Sequence, residues 1–375
     1  MSDHSTSVPT DVPDRLTRAR AAAADAGVDA LLVTPGADLR YLTGFAAMPL
    51  ERLTCLVLPV DGDPVLVVPR MELAMALEAG VPNHGIVIRA WDETDDPYAV
   101  AVDGHRSARR VAVDDQMWAE RVFAFAEAFS GAEQVLAGPI LRGLRMRKTP
   151  QEVASLREAG ATIDRVHARM GEWLRPGRTE REVARDVAEA ILAEGHATVD
   201  FVIVGSGPNG ASPHAEVSDR RIEAGEPVVV DIGGTMPSGY CSDSTRTYVA
   251  GGEAPADFAA YYEVLLAAQQ AQCAHARPGV TAESVDAVGR QVIADAGYGE
   301  AFLHRTGHGI GLETHEAPYI VAGNDLVLEP GMAFSIEPGI YLEGRHGARI
   351  EDIVVTTEDG LERLNRTDRG LVVLG

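Results

Sequence analysis

The stretch RPGRTEREV, residues 175–183, returns as RPGVTAESV, residues 277–285. Each copy has a Pro-Gly turn, then Thr179 or Thr281 where a helix N-cap belongs, then an amphipathic run ending near a glycine. The segments that follow, DFVIVGSG from Asp200 and AFLHRTGHG from Ala301, carry Phe201 and Phe302 at nearly the same offset. A repeat about 100 residues long is too wide for a solenoid. It predicts two similar halves related by a pseudo-two-fold axis, with a site between them.

Outward from the repeat, four stretches read as strands bounded by Pro and Gly turns: VVVDIGG (228–234), TRTYVAG (245–251), AFSIEPGIY (333–341) and RIEDIVVTT (349–357). Upstream, the pattern resets at RMRKTPQE, where Thr149, Pro150 and Glu152 suit the N-cap, the first helical position and the third position of a capping box. A domain boundary is expected just before it. Residues 1–13 read as a loose tail. From Asp14, helical and β-branched runs alternate through ALLVTP, TCLVLPV and PVLVVP, which predicts a smaller α/β domain over 14–145 ahead of an α+β domain over 146–375.

Composition narrows the function. Fifty-six acids against 33 Lys and Arg give a net charge of −23, which argues against nucleic acid or an anionic membrane as partner. MSDHSTSVPT lacks a cationic region followed by an apolar run, so no signal peptide is expected. Cys55, Cys241 and Cys273 show no paired spacing and are expected to be reduced, in a cytoplasmic protein.

Acids placed inside strands carry the chemistry. Asp231 follows three valines, and Asp243 opens the next strand with Thr245 on its face. The turn-rich GGTMPSGYC between them allows a hairpin that brings the two acids together. Glu337 lies in AFSIEPG, whereas Glu329, also followed by Pro-Gly, precedes its strand and reads as a solvated turn acid. Glu351 and Asp352 point to opposite faces, and alternation alone does not choose between them. HRTGHGIGLETHEAP (304–318) offers histidines in a stretch whose glycines disfavour a helix. Four converging carboxylates would repel, and two divalent cations with His308 as a nitrogen ligand would balance them.

With VVVDIGG, GYCSDSTRTY, HRTGHGIGLETHE, AFSIEPGIY and ARIEDIVV in that order, residues 145–370 resemble the pita-bread metallopeptidases, a family that includes methionine aminopeptidase, aminopeptidase P and prolidase. DALLVTPGADLRYLTGF (29–45) is similar to the additional N-terminal domain of the prolidase, aminopeptidase P and creatinase branch. The resemblance implies a pita-bread fold, homodimerisation and a two-metal centre of Asp231, Asp243, His308, Glu337 and Glu351, with Mn²⁺ ahead of Co²⁺, Zn²⁺ or Fe²⁺. Asp243 and Glu351 match the bridging ligands. Glu337 is the expected proton shuttle, and His214 and His315 match histidines beside the substrate. His304 matches a pocket-lining residue. Arg349 is expected to orient Glu351, with a surface ion pair as the alternative; Thr245 and Tyr240 are further expected donors, with strand packing favoured for Tyr240. Asp231 and Asp243 stand one residue further apart than the family pattern, which the resemblance assigns to the TMPSG turn. The implied activity is hydrolysis of Xaa-Pro bonds in small peptides, as a dipeptidase or alternatively an aminopeptidase. Another small-amide hydrolase, a metal-free creatinase-like amidinohydrolase and a non-catalytic binding module are the remaining alternatives.

Overall fold

The computed structural model describes residues 11–374, and the chain divides into two compact units, Met1–Arg145 and Met146–Gly375. Of the expected tail, residues 1–10 lie outside the described residues. The first helix, Val12–Asp25, starts earlier than the expected Asp14, because Pro13 falls in its first turn, where no amide hydrogen is needed.

The first unit is built on one sheet. Its strands are β1 (Ala30–Val33), β2 (Cys55–Pro59), β3 (Val65–Pro69), β4 (Val87–Trp91), β5 (Arg110–Val113) and β6 (Glu133–Leu136), in the order β4-β3-β2-β1-β5-β6. The β1–β5, β5–β6 and β3–β4 pairs are parallel, and β1–β2 and β2–β3 are antiparallel. Strands β1, β2 and β3 are buried throughout, as continuous apolar runs predict for a sheet covered on both faces.

In the second unit the repeat in sequence is a repeat in structure. Helix Pro150–Ala168 opens on a capping box between Thr149 and Glu152, and helix Glu180–Glu194 on one between Thr179 and Glu182. Thr281 also occupies the N-cap of helix Ala282–Asp295, though its side chain makes no capping bond. Both Pro-Gly turns are tied down alike: Gly177 N–H donates to Ile222 O and Gly279 N–H to Leu328 O, while Thr179 bridges Arg221 and Thr281 bridges Val327. Each half therefore anchors its helix N-terminus to a strand-like segment of its own.

The second unit's strands are β7 (Thr198–Ser206), β8 (Glu226–Thr235), β9 (Cys241–Ala250), β10 (Gly307–Gly309), β11 (Glu316–Ile320), β12 (Ala333–Ile336), β13 (Gly339–Leu342), β14 (His346–Arg349), β15 (Asp352–Thr356), β16 (Leu361–Arg363) and β17 (Val372–Leu374). They form a sheet β17-β9-β8-β7, a sheet β11-β10-β12-β15-β16 and a ribbon β13-β14. Two expected strands are broken. AFSIEPGIY splits at Glu337 and Pro338, since proline has no amide hydrogen for a ladder, and RIEDIVVTT splits at Ile350 and Glu351. The glycines of the HRTGHGIG segment serve close approach of backbones: a Cβ on Gly307 would sit 1.9 Å from Ser335 O, and one on Gly309 2.2 Å from Ala317 O. Only glycine lets β10 lie between β11 and β12.

Candidate metal centre

Hairpin β8–β9 runs without a register shift from Glu226–Ala250 to Thr235–Cys241, which leaves residues 236–240 as its turn. Asp231 faces Thr245 and Gly233 faces Asp243, which puts both acids on one face of the ladder. Glu337 and Glu351 sit at the two strand breaks. Their amides are fixed from outside their own strands, Glu337 N–H by Thr306 O at 2.8 Å and Glu351 N–H by Thr245 O at 3.1 Å. These breaks turn two acids away from sheet alternation and toward the hairpin pair.

The acids meet one imidazole. His308 places Nε2 3.2 Å from Glu337 Oε1 and 3.6 Å from Asp243 Oδ2. Its Nδ1 lies 3.1 Å from Gly309 O; donating that hydrogen to the carbonyl leaves the Nε2 lone pair facing the acids. Three sets of residues bring one ligand atom each within 4.8 Å of one another: Asp231, Asp243 and Glu351; His308, Glu337 and Glu351; and Asp243, His308 and His315. Shared members join them into one cluster on the wall of a cavity of about 680 Å³.

Its electrostatics require positive charge. Burial, then repulsion from Glu351, Asp231 and Glu337, pushes the Asp243 carboxyl well above its usual range. Burial, then Glu337 and Asp231, does the same to Glu351. Burial also works to raise Glu337, but His308 whenever its ring is protonated, with His304 and Arg349, outweighs it and lowers that carboxyl to about 2. Asp231 Oδ1 is buried and accepts no hydrogen bond from the described residues. An orphaned carboxylate oxygen, clustered acids and an imidazole lone pair form a donor set that divalent cations would complete.

The remaining expected residues divide. His315 stacks edge-on against His308, ring centroids 4.0 Å apart, and burial, with His308 and Arg305 adding to it, lowers its pKa to about 4. The imidazole is therefore neutral at pH 7. His214 lines the same cavity. His304 does too, but both its nitrogens are engaged: Nδ1 on Arg305 O at 2.7 Å and Nε2 on the Tyr341 hydroxyl at 2.9 Å.

Arg349 is buried, which removes the surface ion pair, and it reaches Glu351 through Thr245 rather than directly. Its Nη2 donates to Asp231 Oδ2 at 2.5 Å and its Nε to Thr245 Oγ1 at 3.0 Å, and that hydroxyl donates to Glu351 Oε2 at 2.7 Å. Thr245 relays the arginine to the glutamate. Tyr240 lies away from the cavity, where its hydroxyl donates to Glu152 Oε1 at 2.7 Å and its ring packs with Leu156 and Ile310. Asp352 faces the other way, onto Arg246 and Arg369, and Glu329 makes a half-exposed pair with Arg147.

Sequence reasoning missed one group that contacts the lining residues His304 and Arg349 and two groups on the cavity wall itself. Tyr341, the last residue of AFSIEPGIY, accepts from Arg349 Nη1 at 2.9 Å while serving His304. Asp200 and Arg305 also line the cavity. A buried pair between Lys148 and Glu316 pins the start of β11, next to His315. Adjacency to a motif was the only signal for any of them.

Residues 154–358 match the model of metallopeptidase family M24, and residues 15–147 match the creatinase/prolidase N-terminal domain. The chain belongs to metallopeptidase family M24. A Mycobacterium tuberculosis protein named probable dipeptidase PepE is 56% identical over 362 residues, 96% of each chain. A Lactobacillus delbrueckii Xaa-Pro dipeptidase is 38% identical, over 93% of this chain and 95% of that one. The crystal structure of dipeptidase PepE from Mycobacterium ulcerans superposes with a TM-score of 0.92 at 54% identity, covering 99% of both chains. This M24 chain accordingly has the creatinase/aminopeptidase pita-bread fold and is a divalent-metal peptidase.

Proposed function

We propose that this chain is an Xaa-Pro dipeptidase in which Asp231, Asp243, His308, Glu337 and Glu351 hold two divalent cations. Asp243, His308 and Glu351 belong to two of the clustered sets each, and of these only the carboxylates, with two oxygens, suit shared ligation. A carboxylate-rich set with imidazole favours Mn²⁺, with Co²⁺, Zn²⁺ and Fe²⁺ as competitors. When bound, such cations polarise a carbonyl and lower the pKa of water toward ~7.

The chain's own groups do the rest. Glu337, its Oε1 3.2 Å from His308 Nε2, is placed to pass a proton from the attacking water to the leaving nitrogen. Neutral His315 can donate to the developing oxyanion, with His214 on the same cavity wall. Arg349 and Thr245 hold Asp231 and Glu351 in place. Phe201, Ile203 and Pro213 provide an apolar wall for the proline ring or the preceding side chain.

One observation carries the dipeptidase reading over the aminopeptidase alternative. Arg305 lines the cavity with its guanidinium 4.4 Å over the Tyr319 ring and forms no ion pair among the described residues. A dipeptide presents a carboxylate one residue beyond the scissile bond, whereas a longer peptide presents a neutral amide there. A guanidinium suits the first.

The family resemblance supports a homodimer. Three buried, unpaired cysteines support a reducing cytoplasm, and among the described residues no helix is long and apolar enough to cross a membrane. The test of substrate gives Mn²⁺-loaded protein equal concentrations of Leu-Pro, Leu-Pro-Pro and Leu-Leu. Leu-Pro should be cleaved fastest. Faster cleavage of Leu-Pro-Pro would select the aminopeptidase, and cleavage of Leu-Leu alone would remove the proline preference.

A further inference from the structure

Asp200 stands where regular sheet geometry would not put it. Phe201 and Ile203 line the cavity, so strict alternation along β7 sends Asp200 to the opposite face. The β7–β8 ladder instead shifts register between Val199, which faces Gly234, and Phe201, which faces Gly233, leaving Asp200 as the additional residue of a β-bulge. Bulges re-aim side chains beside active sites. Here the result is a carboxylate that joins Phe201 and Ile203 on the cavity wall.

Its orientation is set and its charge is unanswered. Thr198 Oγ1 donates to Asp200 Oδ1 at 3.0 Å and Thr235 Oγ1 to Oδ2 at 2.7 Å, so each oxygen is held by a hydroxyl with acceptor capacity to spare. No cation pairs with Asp200 among the described residues. The clustered acids of the same cavity differ, being buried against Arg349, His308 and one another. Asp200 lies outside all three ligand sets.

We propose that Asp200 is the receptor for the protonated α-amino group of the substrate, making it a specificity-determining residue that selects peptides with a free amino end. A dipeptide's ammonium is protonated at neutral pH, its usual pKa being ~8, and an oriented carboxylate beside an apolar wall would receive the charge and the first side chain together. With Arg305 at the carboxylate end, the cavity would read both charges of a zwitterion. The inference rests on the peptidase reading of the site and adds what the site demands of the substrate's amino end.

The experiment is a cycle between Asp200→Asn and removal of the substrate amine, using Mn²⁺-loaded protein with Leu-Pro and its des-amino analogue 4-methylpentanoyl-proline. Asn keeps the shape and an acceptor for the threonines, so the bulge should survive. Wild type should prefer Leu-Pro by ~10- to 10²-fold in kcat/KM, the range for a charged hydrogen bond. Asp200→Asn should lose most of that preference through a raised KM for Leu-Pro, with the des-amino analogue unchanged. Equal losses on both substrates, or an intact preference, would overturn the inference while Leu-Pro cleavage by wild type upholds the peptidase reading. A second arm compares leucine with 4-methylpentanoate by calorimetry on both proteins. If wild type cleaves neither substrate yet binds leucine more tightly, and Asp200→Asn abolishes that difference, the peptidase reading fails and the amine receptor stands.

Discussion

Replacing Thr245 by Val removes one hydroxyl and almost no volume from the middle of the arginine–glutamate relay. The side chain is fully buried, accepts from Arg349 Nε at 3.0 Å and donates to Glu351 Oε2 at 2.7 Å. Arg349 and Glu351 are 3% and 1% exposed, so water has little access to replace either bond. A hydrogen bond to a charged group contributes about 1.5–3 kcal/mol net, which converts to roughly 10- to 150-fold in an equilibrium constant. Loss of an outer partner of a metal ligand independently costs ~10–100-fold in affinity. The hydroxyl stabilises the Glu351 carboxylate most when that group is ionised and facing a cation, so the loss should fall on metal affinity more than on the metal-free fold. Calorimetric titration with Mn²⁺ should show affinity weakened by ~10–100-fold. Thr245→Ser, which keeps the hydroxyl, should behave nearly as wild type. Affinities within twofold for wild type and Thr245→Val would refute the relay.

Three further outcomes follow from the same geometry. Asp243→Ala should remove activity and bound metal together, by more than the ~10–100-fold of an outer-shell change, measured by turnover and elemental analysis; retention of both would break the two-metal assignment. Glu329→Ala should leave kcat and KM unchanged and cost at most ~1 kcal/mol in a melt, because its pair with Arg147 is half exposed. His167, buried beneath the Tyr248 hydroxyl and Ser244 O, has its pKa lowered to about 3 by burial and then by Arg246. Its native state stays neutral while the unfolded imidazole binds a proton near the ordinary histidine value of 6.5, so stability present above pH 6.5 should fall by up to ~1.4 kcal/mol per unit as pH drops toward 3. Denaturant melts of His167→Gln should lack that component.

Much of this was visible along the chain, for reasons that are local. Thr149 with Glu152 and Thr179 with Glu182 are signals only three residues apart, and both are capping boxes in the fold. Asp231 among valines was conspicuous because an acid inside a buried run must be compensated. The hairpin partner of Asp231 was predictable because one turn separates the two strands. Strand continuity was misread at AFSIEPGIY and RIEDIVVTT. There apolar character persists across Glu337 and Glu351 while the hydrogen-bond ladder passes to other partners.

The sequence by itself determined the repeat, the capped helix starts after Thr149 and Thr179 and the types of side chain that gather around His308, because capping, periodicity and composition act over a few residues. Only the tertiary structure decided that Arg349 holds Asp231 and reaches Glu351 through Thr245, a hydroxyl 104 positions away along the chain. Only it showed Tyr240 turned onto Glu152, and Asp200 turned into the cavity by a register shift. Each of these depends on how strands distant in sequence meet. A period of two or 3.6 residues tells which face a side chain takes and nothing about what stands opposite.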